Sequence, residues 1–164
     1  MHTISLLVEN HQGVLSRISG LFSGRGYNLE SFTSGPTTDP SVTRITLVCN
    51  GDDQIIDQIK KQLDKLVDII DVEELTETPT VDRELALIKV SVKPGQRGEL
   101  IQIADVFNAQ VMDVGSESMV LEVTGSPDKI NDLIALLHEF SVIELARSGL
   151  VSIARGKKNN ISPY

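Results

Sequence analysis

Cysteine occurs once in these 164 residues, at Cys49, which excludes an internal disulfide framework and a CxxC redox or zinc pair. Tryptophan is absent, and four Phe with two Tyr hold aromatics to 4%. The core must therefore be aliphatic, and the stacking rings that RNA-binding sheets use are missing. Basic residues are outnumbered, 15 Lys+Arg against 23 Asp+Glu, and a net charge of -8 argues against a nucleic-acid or anionic-membrane surface. No apolar run approaches the roughly 20 residues that span a bilayer. Met1-His2-Thr3-Ile4 carries no basic region leading into an apolar stretch, so no signal peptide and a cytoplasmic location are expected. His2, His11 and His138 fall in separate segments, and HExxH, GxSxG and GxxxxGK[ST] are all missing. We therefore expect no catalytic residue, no metal and no cofactor on this chain.

Apolar residues make up 40% of the chain, enough to build a core. Thr3 to Val8 alternates Ile4, Leu6 and Val8 on one face and reads as a strand. Val14, Leu15, Ile18, Leu21 and Phe22 follow at helical spacing, with Gly26 placed to end the helix in a left-handed conformation. Asn28–Ser34 and Thr43–Val48 read as strands. Asp52 and Asp53 are placed to cap a second helix with its stripe at Ile55, Ile56, Ile59, Leu63 and Leu66, and Val67–Leu75 reads as the next strand. The acids Asp71, Glu73 and Glu74 near that strand read as a solvated face.

The same β-α-β-β-α-β order recurs after a proline-bearing linker. Leu85–Val92 is a strand, Leu100 to Phe107 a helix, and Val111–Val114 and Met119–Thr124 are strands. Ser126-Pro127 starts a helix, and Val142–Ala146 begins a last strand. The expected architecture is α+β, two tandem ferredoxin-like βαββαβ domains. The expected boundaries are a first domain at 1–76, a linker at 77–81, a second domain at 82–156 and a flexible tail at 157–164.

The segment Glu9-Asn10-His11-Gln12-Gly13-Val14-Leu15 joins the first strand to the first helix. Backbone N–H groups at a helix start lack intrahelical partners and carry partial positive charge, so a carboxylate fits there. Gly13 permits close approach to the backbone, Asn10 offers an amide donor and a carbonyl acceptor, and Val14 and Leu15 can line an apolar pocket. These parts suit a small aliphatic amino acid. A second reading stands beside it, in which Asn10 simply caps the helix.

The stretch NHQGVLSRISGLFSGRGYNLESFTSGPT resembles the opening of the ACT-domain regulatory (small) subunit of acetolactate synthase, also called acetohydroxyacid synthase. QIIDQIKKQLDKLVDIIDV and VIELARSGLVSIARGKK are similar to later parts of that family, so the resemblance spans nearly the whole chain. It implies that the first domain is an ACT domain and that the chain is a regulatory subunit without chemistry of its own. It further implies a large catalytic subunit as partner, carrying thiamine diphosphate, Mg2+ and usually FAD. The small subunit is then expected to activate that partner and to confer feedback inhibition by valine in branched-chain amino acid biosynthesis. A homodimer through the first domains is expected, with the effector at their interface.

Carried over by position, Asn10 and Gly13 match the effector loop, and Asn28 matches the group reaching in from the neighbouring protomer. Amides around Gly13, Val14 and Leu15 are expected to take the carboxylate, oxygens of Asn10 or Asn28 the ammonium, and Val14 and Leu29 the side chain. Without the resemblance, Asn28 reads first as a turn residue after Gly26. The corresponding loop of the second domain, Lys93-Pro94-Gly95-Gln96-Arg97-Gly98, has no matching asparagine, and its proline removes a donor, so no effector is expected there. The alternative to the regulatory subunit is a free-standing amino-acid sensor with no enzyme partner.

Overall fold

The computed structural model describes residues 1–156, so the tail expected at 157–164 lies outside the described residues. The described residues divide into two compact units, Met1–Val81 together with 150–156, and Asp82–Gly149.

In the first unit β1 (His2–Glu9), α1 (Val14–Arg25), β2 (Asn28–Pro36), β3 (Val42–Asn50), α2 (Asp53–Leu63) and β4 (Ile69–Glu74) follow in chain order. The sheet runs β2-β3-β1-β4, with antiparallel neighbours throughout, so β2 and β4 are its edges. Alternation along β1 and β3 sends Ile4, Leu6, Val8, Ile45, Leu47 and Cys49 into one cluster with Val14, Ile18 and Phe22 of α1 and Ile56, Ile59 and Leu63 of α2. Each side chain of this size contributes about 1.5–3 kcal/mol on burial. Gly26 ends α1 at φ 67°, and the Tyr27 amide donates to the Phe22 carbonyl at 3.1 Å. Asp52 caps α2 by accepting from the Ile55 amide at 2.9 Å.

The opposite face of this sheet is also closed: Ser5, Leu7, Thr46 and Val48, which alternate away from the helices, are all buried. Leu150 and Ser152 of the returning chain are buried too, and the Leu150 amide donates to Ser31 Oγ at 3.2 Å.

The second unit holds most of β5 (Thr80–Ser91), then α3 (Arg97–Val106), β6 (Gln110–Val114), β7 (Ser118–Gly125), α4 (Pro127–Leu137) and β8 (Val142–Arg147). Its strand order, β6-β7-β5-β8, repeats that of the first sheet. Ser126 caps α4 with Pro127 in its first turn, and Ala86, Ile88, Val90, Leu100, Leu121, Ile130 and Leu133 are among its core residues.

The tandem α+β architecture is as the sequence reading expected. Three boundaries differ. The chain leaves α2 through a turn in which Val67 is 86% exposed, so β4 starts at Ile69 and not at Val67. Within the stretch expected as a linker at 77–81, β5 begins at Thr80. The second domain was expected to span 82–156, and by its contacts the stretch 150–156 groups with the first unit. There β9 (Val151–Ala154) pairs with β5, and the Arg155 amide and Nε donate to the carbonyls of Pro79 and Thr80, both at 2.8 Å.

Candidate functional site

The loop between β1 and α1 is fastened at both edges by backbone bonds. The Glu9 amide donates to the Asp68 carbonyl at 2.9 Å, and the Asn10 amide to the Ser41 carbonyl at 2.7 Å. The Asn10 side-chain amide donates to the Pro40 carbonyl at 2.9 Å. Asn10 is therefore not the helix cap. That position falls to Gly13, at φ 91°, whose carbonyl accepts the first helical bond from the Arg17 amide at 3.0 Å. No side chain caps α1 and no acid sits in its first turn, so its leading amides and its partial positive charge remain to be matched from outside.

These groups border a cleft of about 360 Å³. Asn10, Val14 and Leu15 line it, with Val8, Glu9 and His11 from the same stretch and Ser34, Gly35, Pro36 and Thr43 from β2 and β3. Val14 is buried and Leu15 half-exposed, giving the cleft an apolar wall beside the helix start. With its nitrogen bonded to Pro40, the Asn10 carboxamide presents its oxygen as an acceptor. The cleft thus combines a helix start, a carboxamide, the charged side chains of Glu9 and His11, and an apolar wall.

Asn28 and Leu29 are not in this cleft. Asn28 opposes Asn50 at one end of β2, whereas Pro36 opposes Thr43 at the other. Eight residues of strand separate the two ends, about 26 Å. The Asn28 side-chain amide donates to the Glu30 carboxylate, which also accepts from Asn50 Nδ2 at 2.6 Å, so Asn28 too is left with its oxygen as acceptor. Leu29 packs on the helix-side core. Within one chain, then, the cleft is lined by Asn10, Val14 and Leu15, with Gly13 next to it in the same loop but not on its wall, and Asn28 and Leu29 lie apart from it.

Sequence reading missed the Ser34–Pro36 and Thr43 side of the cleft, because strand register alone places it there. It also missed a charged chain behind the loop. His11 Nε2 lies 2.8 Å from Asp68 Oδ1 and 3.4 Å from Glu9 Oε2, and Asp68 Oδ2 lies 2.9 Å from Arg17 Nε.

Other places in the two units suit an amino acid less well. A second cleft of about 360 Å³ is lined by His2 and by Asp53, Asp57, Glu74 and Glu77, a set that repels a carboxylate. There Glu74 pairs with Lys60 at 2.6 Å, which holds its carboxyl below the usual range. Burial pushes the Cys49 thiol up to about 11, leaving it protonated and unreactive near neutrality. In the second unit, the loop between β5 and α3 forms a tight turn at Pro94–Gln96, in which Gln96 Oε1 accepts from the Lys93 amide at 3.2 Å. Arg97 Nη2 donates to the carbonyls of Gly115 and Ser116, both at 2.8 Å. That turn offers no counterpart of Asn10.

A repeated βαββαβ unit whose first loop leads into an uncapped helix is a tandem ferredoxin-like fold, an architecture that regulatory domains of the ACT type share. Comparisons with known proteins agree. Residues 4–71 match the ACT domain of acetohydroxyacid synthase small subunits, and residues 83–156 match the small subunit of acetolactate synthase. A probable acetolactate synthase small subunit of Archaeoglobus fulgidus is 46% identical over 96% of this chain and 98% of its own. The acetolactate synthase small subunit of Mycolicibacterium smegmatis is 43% identical over 96% of this chain and 92% of its own. The crystal structure of the acetolactate synthase small subunit of Thermotoga maritima superposes with a TM-score of 0.87 at 37% identity, covering 96% of this chain and 98% of that one. The chain belongs to the family of acetolactate synthase small subunits, a regulatory component of that enzyme.

Proposed function

We propose that this chain binds the large catalytic subunit of acetolactate synthase, raises its activity, and makes it sensitive to valine. The partner is the subunit that carries thiamine diphosphate, Mg2+ and FAD, and the assembly works in the cytoplasm. Membership of the small-subunit family supports the partnership. The observation that carries the effector reading is the uncapped start of α1, which opens beside the Asn10 oxygen onto an apolar wall. Valine fits with its carboxylate on the amides of Gly13, Val14 and Leu15, its ammonium on Asn10, and its isopropyl group against Val14 and Leu15.

The same geometry suggests why two copies are needed. β2 is an edge strand whose outer side pairs with no other strand among the described residues. Two copies joined antiparallel along β2, about a two-fold near Phe32, would bring Asn28 of the partner subunit opposite Pro36. That places a second carboxamide oxygen at the cleft, where a single chain has none. Valine bridging the two protomers then favours one arrangement of the pair over another. A differential affinity of about 1–3 kcal/mol is enough for ordinary allosteric control.

The test is an acetolactate assay of the purified catalytic subunit, with and without this chain, over a valine titration. Stimulation by the chain and its reversal by valine support the reading. If the two proteins fail to co-purify while valine still binds this chain, the free-standing sensor replaces it.

A further inference from the structure

We propose that His11 is a positioning residue for the effector loop, clamping it to the body of the first unit through Asp68 when its imidazole is protonated. This rests on the effector reading above and adds a proton as a second input to the same site.

The donors and acceptors decide the form of the ring. Nδ1 lies 3.0 Å from the Gln12 carbonyl oxygen, and Nε2 lies 2.8 Å from Asp68 Oδ1 and 3.4 Å from Glu9 Oε2. Both nitrogens face oxygens that only accept. A neutral imidazole has one N–H and one lone pair, so it can satisfy only one side. The imidazolium satisfies both. The Gln12 carbonyl first, then Asp68 and Glu9, raise the His11 pKa above its ordinary value.

Asp68 is what makes this a clamp. Its side chain is 5% exposed, and its other oxygen forms an ion pair with Arg17 Nε of α1 at 2.9 Å, without the alignment of a hydrogen bond. The Arg17 guanidinium in turn lies 3.8 Å from where a side chain at Gly13 would begin. One buried carboxylate thus ties the middle of the loop to the first helix, next to the amides assigned to the effector. The charged groups facing the ring are Glu9 from β1 and Asp68 from the turn before β4, with Arg17 from α1 beyond Asp68. Asp39, in the turn that receives Asn10, is engaged by the hydroxyl and amide of Ser41. No further ion pair reaches the imidazole among the described residues.

The direction follows. A group whose pKa is raised on folding gives its stabilisation below its ordinary pKa and loses it as pH rises through the raised one. The clamp is closed on the acid side and released toward alkaline pH, where loop order and effector affinity decline.

The experiment uses the full chain and compares wild type with His11→Gln, which cannot titrate. The imidazole is titrated by NMR, and exchange of the Asn10–Gly13 amides is followed relative to intrinsic rates. Valine is titrated calorimetrically from pH 6 to pH 8.5. Expected are a His11 pKa above 6.5, loss of loop protection in step with it, and a fall of about three- to tenfold in valine affinity. In His11→Gln all three pH dependences vanish. An unshifted imidazole, or identical pH dependence in the two proteins, overturns the clamp even if valine binds. Should no branched-chain amino acid give heat at any pH while the imidazole and loop behave as stated, the clamp stands and the effector reading fails. Asp68→Asn is a second check, bringing the His11 pKa down toward its ordinary value.

Discussion

The Asn10 side-chain amide nitrogen stands 2.9 Å from the Pro40 carbonyl oxygen, joining the first loop to the turn between β2 and β3. The turn is itself braced, because the Ser41 hydroxyl and amide both donate to Asp39 Oδ1 and hold that carboxyl below its ordinary pKa. One end of the carboxamide is thereby fixed by the fold, on a residue that lines the cleft. Asn10→Ala removes the carboxamide. Asn10→Asp keeps the size but replaces the donor to Pro40 with a second oxygen. We expect both to weaken valine binding by at least tenfold, equivalent to about 1.4 kcal/mol, in calorimetric titration. The melting temperature should move by only a few degrees, since the side chain is exposed.

Gly13 and Gly26 bracket α1, and both have positive φ, 91° and 67°. Alanine at either position meets backbone strain of about 1–2 kcal/mol. Neither would collide at the new Cβ: the nearest atom at Gly13 is 3.8 Å away, and nothing lies within 4 Å at Gly26. Thermal or denaturant unfolding should therefore show similar losses for Gly13→Ala and Gly26→Ala. Valine binding should separate them, because only Gly13 belongs to the loop that presents the amides. Equal loss of binding in the two variants would make the effect one of general stability.

Much of this was legible in the sequence, for reasons visible in particular residues. Ile4, Leu6 and Val8 alternate because one sheet face packs on helices, and Val14, Ile18 and Phe22 repeat because one helix face packs on that sheet. Asp52 and Ser126 are capping residues whose chemistry is local. What escaped depends on contacts distant in sequence. β9 is four residues long, too short for a periodicity, and its place with the first unit follows from bonds to Ser31, Pro79 and Thr80. His11 and Asp68 lie on opposite sides of a whole αββα stretch, so only the folded sheet order makes them neighbours. The site was half legible for the same reason: Asn10 through Leu15 are contiguous, whereas Asn28 lies a strand's length away.

Acid should expose the contribution of the Lys60–Glu74 pair. Their side chains are 30% and 28% exposed, and the 2.6 Å contact lowers the Glu74 pKa and raises that of Lys60. A carboxyl depressed on folding adds stability above its unfolded pKa and loses it as pH falls through the folded one. For a partly solvated pair we expect about 0.5–1 kcal/mol. Lys60→Met should be less stable than wild type by that amount at pH 7. The gap should close as pH falls below 4.5, the ordinary value for this carboxyl. Urea midpoints of the two proteins at pH 7 and pH 3 measure it.

Leu150 tests whether the returning chain is part of the first unit's structure or merely follows the second. Its side chain is 9% exposed, and Ser5, Leu7, Thr46 and Val48 are buried on the sheet face that α1 and α2 do not cover. If that face is closed by the chain from Leu150, Leu150→Ala removes packing there and costs about 2 kcal/mol. The loss should appear as faster hydrogen exchange at amides of β1 and β3. Amides of β7 and α4, in the unit from Asp82 to Gly149, should keep their protection. Faster exchange in β7 and α4, with β1 and β3 unchanged, would instead place Leu150 with the second domain, where the sequence pattern puts it. Val151→Ala, whose side chain is 48% exposed, supplies the comparison: the same truncation one residue further on should change neither set of amides.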